Sequence, residues 1–319
     1  MDEVQIGSLL ASTLRGATPL VLCALAGTVS ERAGVIDLGL EGKMLAAAFA
    51  AGSVGALTGS LPLALMVAIA VGVALSMLHA WGCVSQRGDQ VVMGVALTMT
   101  AAGLTVVLGL AWFGLGGQTP PLPDAVRLKP LMDVDPAAWP PGLRGLALAL
   151  AGHNAMVYGT LVLVAAVWWM LYRTRFGLRL RATGENPAMV DAAGVSVKGM
   201  RYAALAINGV LAALAGVYLV LALNASFSPH MTAGRGYMAL AAMIFGKWHP
   251  VGALLACLLF GFLDAAAIQL QGVSLPLIGE VPVQAIQALP YVLTVVLLAG
   301  FFGRSRAPAA LGRPYLKER

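Results

Sequence analysis

RTRFGLRLRATGENPAMVDAAGVSVKGMR, residues 173–201, is a polar, basic island in a chain that otherwise reads as one hydrophobic span after another. It carries the signals of a short helix. Asn186 suits the N-cap, Pro187 the first helical position and Gly194 the position just past the end. About seven residues lie between those signals, roughly 10 Å of helix. A helix that short does not persist alone in water and needs something packed on it. Arg173, Arg175, Arg179, Arg181, Lys198 and Arg201 surround it, against Glu185 and Asp191. Cations flanking membrane spans mark cytoplasmic loops, so 173–201 is expected in the cytoplasm. Ala188, Met189, Ala192 and Ala193 give the helix an apolar surface beside those cations, which points to docking in the groove of a soluble partner.

Composition fixes the setting of that island. The chain has 319 residues, 59% hydrophobic and only 11% charged, with a mean hydropathy of +0.85. A soluble domain carries about 25% charged residues, so these apolar stretches exceed what one soluble core could bury. Strands of alternating polarity are absent, which leaves an all-α, polytopic transmembrane bundle. The net charge of +6 collects in the island and the C-terminal tail. Cations placed there set topology and meet anionic lipid, and nucleic acid is not an expected partner. Cys23, Cys83 and Cys257 lie far apart in apolar segments, and His79, His153, His230 and His249 have no helical partner at i+4. Neither set has metal-ligand spacing, so no metal or other cofactor is expected.

Hydrophobic spans are expected at 6–29, 43–59, 61–83, 91–115, 152–172, 202–224, 236–247, 250–271 and 285–303. They make a single transmembrane domain over 1–319, with about 8–10 spans. Counting back from a cytoplasmic island, 116–151 falls outside, 85–90 and 30–42 inside, and the N-terminus outside. The basic tail 304–319 belongs inside, which requires an even number of crossings after the island. Segment 236–247 is too short for a full span, which needs about 20 residues. Residues 236–271 therefore read as a broken or re-entrant helix pair hinged at Lys247-Trp248-His249-Pro250. A second break sits at Ser30–Lys43, SERAGVIDLGLEGK, with balanced charge and recurring glycines. Two interrupted helices in corresponding positions suit a transporter built from repeats.

No enzyme constellation is visible. Glu41-Gly42-Lys43 fails as a phosphate loop, because Asp37 stands where glycine is needed and Met44 follows the lysine. Arg15 and Asp264 are charges within spans, which should face protein or water and could pair with each other. Asn208, Asn224, Asp264 and Gln269 are the candidates to line a solute path, although polar groups also join helices.

Four blocks resemble a known family. They are ATPLVLCALAGTVSERAGVIDLGLEGKML at 17–45, RFGLRLRATGENPAMVDAAGVSVKGMRY at 175–202, AGRGYMALAAMIFGKWHPVGALL at 233–255 and APAALGRPYLKER at 307–319. Together with the span spacing, they are similar to permease subunits of ABC importers in the branch for branched-chain amino acids, simple sugars and nucleosides. SERAGVIDLGLEG and the GKWHP hinge look most like the nucleoside-type permeases, which commonly have Asn where this chain has Asp37 and His249.

The resemblance implies that Gly184, Glu185, Asn186, Pro187, Ala188, Met189, Asp191, Ala192, Ala193 and Gly194 form the coupling helix. That helix would sit in a groove of a separate ABC ATPase subunit. The resemblance further implies a second, homologous permease in a heterodimer, an extracytoplasmic solute-binding protein and residence in the bacterial inner membrane. On this reading the chain is not an enzyme; it moves a nucleoside or simple sugar with energy supplied elsewhere. The competing expectation is an ion-coupled secondary transporter relaying protons through Asp264 or Arg15, which would need no docking helix.

Overall fold

The computed structural model describes residues 2–269 apart from 133, 134, 136, 137 and 141, together with 274–275, 279–280, 288, 292 and 306–316. Among these residues seven helices are long and apolar enough to cross a membrane. The span expected at 285–303 lies outside the described residues, apart from positions 288 and 292.

Helix α1 (Glu3–Arg32) is the axis of the molecule. Every residue from Ala17 to Glu31 is buried, as a helix apolar on all sides must be when it occupies the centre of a bundle. Around it pack α5 (Arg144–Ala151), α6 (Ala155–Arg173), α7 (Arg175–Glu185), α9 (Val197–Tyr218), α10 (Arg235–Phe245) and α11 (Pro250–Gln269). α2 (Leu40–Thr58), α3 (Leu61–Ala80) and α9 form a second cluster, with α4 (Gln90–Phe113) against α2. α3 and α9 each end in one π turn, Trp81–Ser85 and Leu219–Leu223. α3 and α4 each bury a narrow stripe, mostly of small residues such as Ala64, Ala68, Gly94 and Ala101, and leave most of their large apolar side chains outward. That is the pattern of helices whose solvent is lipid or a neighbouring subunit.

The expected hinge is present. α10 has 11 residues, about 16 Å of helix, roughly half a bilayer core. It turns into α11 through Gly246–His249, with Lys247 and Trp248 both at positive φ. The loop after α4 folds inward on the far end of α9, where Leu122 and Leu128 donate backbone N–H groups to the carbonyls of Ala225 and Leu221. α5 caps the start of α1, and the Glu3 carboxylate accepts from the backbone N–H groups of Gly142 and Gly145 at 3.0 and 3.2 Å.

The structure adds to three of these readings. The island holds a second helix, the eleven-residue α7, which dense arginine obscured. The break at 30–43 is packed inside the bundle: Ala33, Val35, Asp37 and Leu40 are fully buried. No ion pair among the described residues joins Arg15 to Asp264. Arg15 is exposed and reaches Ser12 Oγ at 3.4 Å, and Gly261 of α11 meets α1 at Thr13 and Ala17 instead.

Candidate functional site

Thr174 ends α6 and starts α7, its Oγ1 accepting from Gly177 N–H at 3.0 Å. α7 lays Gly177, Leu180, Thr183 and Gly184 on the bundle and turns Arg175, Leu178 and Arg179 outward. Arg181 is the exception among its cations. It donates to the Leu171 carbonyl at 3.0 Å and lies over the Tyr172 ring at 4.6 Å, a cation–π contact that fixes α7 to the end of α6.

α8 (Pro187–Ala192) follows at once and is the expected short helix. Asn186 Oδ1 accepts from Met189 N–H at 3.2 Å, and Pro187 fills the first position, where no N–H is required. The chain leaves α8 through Gly194 at φ +78°, with Gly194 and Val195 donating back to the carbonyls of Asp191 and Val190. Val190 is the one buried side chain of the helix. Ala188, Met189, Ala192 and Ala193 are exposed, Met189 by 69%. A six-residue helix with one anchor and an outward apolar face is built to meet a second surface.

Behind α7 lies the segment between α1 and α2. Gly184 abuts the backbone of Arg32 and Gly34 so closely that a Cβ there would collide with the Arg32 carbonyl. Beyond that contact is a buried polar network that no spacing in the sequence announces. Lys43 Nζ donates to Asp37 Oδ2 at 2.6 Å and to Asn208 Oδ1 at 3.1 Å, and neither charged side chain is exposed. Ser76 also donates to Asn208 Oδ1, at 3.2 Å. Asn208 Nδ2 donates to the Ala26 carbonyl and to Ser30 Oγ. His79 Nε2 meets the Ile36 carbonyl at 3.1 Å, and its Nδ1 stands 3.7 Å from Asp37 Oδ1. Burial alone would raise the Asp37 carboxyl, but the Lys43 ammonium and the His79 ring hold it below the usual carboxylate range. The network joins α1, α2, α3 and α9 around the break.

The same segment grips the hinge. Arg32 donates from Nε to the Trp248 carbonyl at 2.9 Å and from Nη2 to the Lys247 carbonyl at 3.3 Å. Trp248 Nε1 donates to Glu31 Oε2 at 2.6 Å. Glu41 caps α10, its two oxygens accepting from Gly234 and Gly236 N–H at 2.8 and 2.6 Å. Tyr172, already under Arg181, has its ring 5.0 Å from that of His249. Partial burial and the Arg32 guanidinium hold the His249 imidazole below its usual range. Trp248→Phe removes the donor to Glu31 and should cost about 1–3 kcal/mol. The check is a fall in the thermal unfolding temperature of the detergent-solubilised protein.

The four path candidates are not brought together. Asn208 is fully buried, and both amide hydrogens and both carbonyl lone pairs are already taken. It joins helices here and has nothing left for a solute. Asn224 is exposed and closes the end of α9 by donating to the Leu219 carbonyl at 2.8 Å. Gln269 is exposed and donates to Ser8 Oγ at 3.2 Å. Asp264 is half-buried on α11. The three cysteines are buried and free, and no cluster of metal-ligating side chains exists among the described residues.

The chain is 38% identical to the guanosine ABC transporter permease protein NupQ of Bacillus subtilis, over 99% of each chain. It is 35% identical to the nucleoside ABC transporter permease protein NupC of Lactococcus lactis, over 98% of this chain and 97% of that one. The putative glucose ABC transporter permease protein TsgC13 of Haloferax volcanii is 36% identical, over 97% of this chain and 98% of its own. Residues 9–300 match the family described as branched-chain amino acid transport system / permease component. The chain is a multi-pass membrane permease of that family.

Proposed function

We propose that the chain is a permease subunit of an ABC importer for nucleosides, lying in the cytoplasmic membrane with 173–201 and the C-terminus on the cytoplasmic side. A separate ATPase subunit docks on 184–194. A second, homologous permease completes the pathway, and an extracytoplasmic binding protein delivers the solute. The observation that carries this reading is α8 itself: a short, doubly capped helix whose apolar face is outward and whose root at Gly184 rests on the α1–α2 break. Force applied to α8 reaches the α10–α11 hinge by two short routes, through Arg32 to the carbonyls of Lys247 and Trp248, and through Arg181 and Tyr172 to His249. Those contacts supply the physical continuity that coupling between distant sites requires. Nucleosides come first because the guanosine permease, at 38%, is more identical to this chain than the putative glucose permease, at 36%, and a simple sugar is the second reading. Asn224, Asp264 and Gln269 remain the candidates for the solute route.

The test is uptake into proteoliposomes holding both permeases and the ATPase, with binding protein supplied. Labelled guanosine should accumulate only with ATP and be competed by unlabelled nucleosides but not by glucose. The purified chain alone should not hydrolyse ATP. Uptake that survives removal of the ATPase and collapses with the proton gradient would instead establish a secondary transporter.

A further inference from the structure

The described tail, 306–316, does not hang free. Ala310 N–H donates to the Gly184 carbonyl at 2.8 Å, and Ala309 N–H to Glu185 Oε2 at 3.2 Å. Two residues on, Gly312 N–H donates to the Gly34 carbonyl at 3.2 Å, and the Arg313 carbonyl accepts from Arg201 Nη1 at 3.0 Å. One turn of tail thus ties together the root of α8, the α1–α2 break and the start of α9. The geometry is specific. Gly312 sits at φ +75°, where a side chain is strained, and a Cβ there would come within 2.9 Å of Ile36 Cδ1. Arg201 is buried to 1% exposure, and among the described residues the Arg313 carbonyl is its hydrogen-bond partner while its Nε and Nη2 have none. A buried guanidinium with so few partners strongly favours keeping the tail in place. Past this tether the tail and α8 diverge. A cavity of about 570 Å³ opens between them, with Ala188 and Ala192 on one wall and Pro314 and Leu316 on the other.

We propose that residues 308–313 are a positioning segment for coupling, a strap that holds the root of α8 to Gly34 and Arg201 so that movement of the docked helix moves the bundle. The proposal rests on the docking reading above. Val190 is the one buried side chain of α8. With the cavity beside it, α8 could tilt under load without moving α1. The strap closes that slack, because its backbone spans from Gly184 to Gly34.

Ala310→Pro deletes the N–H that reaches Gly184, and Ala310→Gly keeps it. Gly312→Val breaks the second tether by crowding Ile36. The complete reconstituted transporter, with ATPase, partner permease and binding protein, is assayed for copurifying ATPase, for hydrolysis and for uptake. In Ala310→Pro and Gly312→Val, uptake is expected to fall about tenfold or more while copurifying ATPase stays within about twofold, so that more ATP is hydrolysed per solute moved. Ala310→Gly should transport like the unaltered chain. A charge at Met189 serves as the contrast, because it should remove the ATPase itself. If that charge has no effect, the docking reading fails. If it abolishes association while both strap variants transport normally, the strap alone fails. Strap variants that lose the ATPase as completely as the Met189 variant would also overturn the proposal, since the tail would then be docking surface. Hydrogen exchange on the unaltered complex gives an independent readout. The amides of Ala310 and Gly312 should be protected and should change in step with 184–194 on nucleotide trapping. Free exchange at both positions would refute the strap.

Discussion

Met189→Glu is expected to reduce solute uptake by at least about thirtyfold, the loss expected when a central anchor of an interface is destroyed. Insertion and folding should remain as they are. Met189 is 69% exposed, and substitutions at exposed positions normally change stability by no more than about 0.5 kcal/mol. The helix itself should tolerate the change well. Asn186 is the N-cap and Met189 the third helical residue, so a glutamate there puts a negative charge in the first turn, where it favours the helical start. What the carboxylate opposes is burial in an apolar groove. Burying it without a partner is costly enough to prevent docking. The measurement is ATP-driven guanosine uptake beside copurification of the ATPase. Normal uptake would remove α8 from the coupling mechanism.

The helices that meet lipid were legible from hydropathy, because in a bilayer long apolar runs have few alternatives to helix. α8 was legible because Asn186, Pro187 and Gly194 are local signals whose chemistry acts within one turn. α7 was not, since Arg175, Arg179 and Arg181 break up its apolar stripe; two of them face outward and Arg181 stacks on Tyr172. The polar network was invisible for a different reason. Asp37, Lys43, Ser76, His79 and Asn208 are spread over four elements, and the contacts reach across as many as 182 positions, from Asn208 to Ala26. Charge balance within 30–43 hinted at internal pairing, but SERAGVIDLGLEGK read by itself is equally a solvated loop. The distinction came from burial, which periodicity cannot supply for so short a segment. Gln269 and Asn224 were read as candidates to line a solute path, and their bonds to Ser8 and Leu219 depend on how the helices pack.

Placement of that network between α8 and the hinge explains why charge is tolerated there. A buried ion pair contributes little net stability, because desolvation offsets its attraction. It does, however, specify which partners must be adjacent. Lys43 reaches both Asp37 and Asn208, so a shift of the break relative to α9 would strand an ammonium in an apolar surround. That ties α1, α2 and α9 together around the break, so on the proposed coupling they would move as one when α8 is pulled.

Lys43→Met tests this restriction and is expected to cost about 3–5 kcal/mol, because it leaves the Asp37 carboxylate buried without its ammonium partner. The side chains are both fully buried, so neither can recover solvent without opening the break. Methionine is similar in length and preserves packing volume, which separates loss of charge from creation of a cavity. Adding Asp37→Asn should recover most of the loss. A neutral pair of similar shape is often as stable as the ion pair it replaces. The carbonyl of the introduced amide can still accept from Gly39 N–H, as Asp37 Oδ1 does at 3.0 Å. The measurement is thermal unfolding of the solubilised protein for both single variants and the double, analysed as a cycle. A coupling term of at least about 1 kcal/mol lies within the range for contacting residues. If Lys43→Met unfolds within experimental error of the unaltered chain, the pair does not constrain the break. The account of how α8 moves the hinge would then have to run through Arg32 and Tyr172 alone.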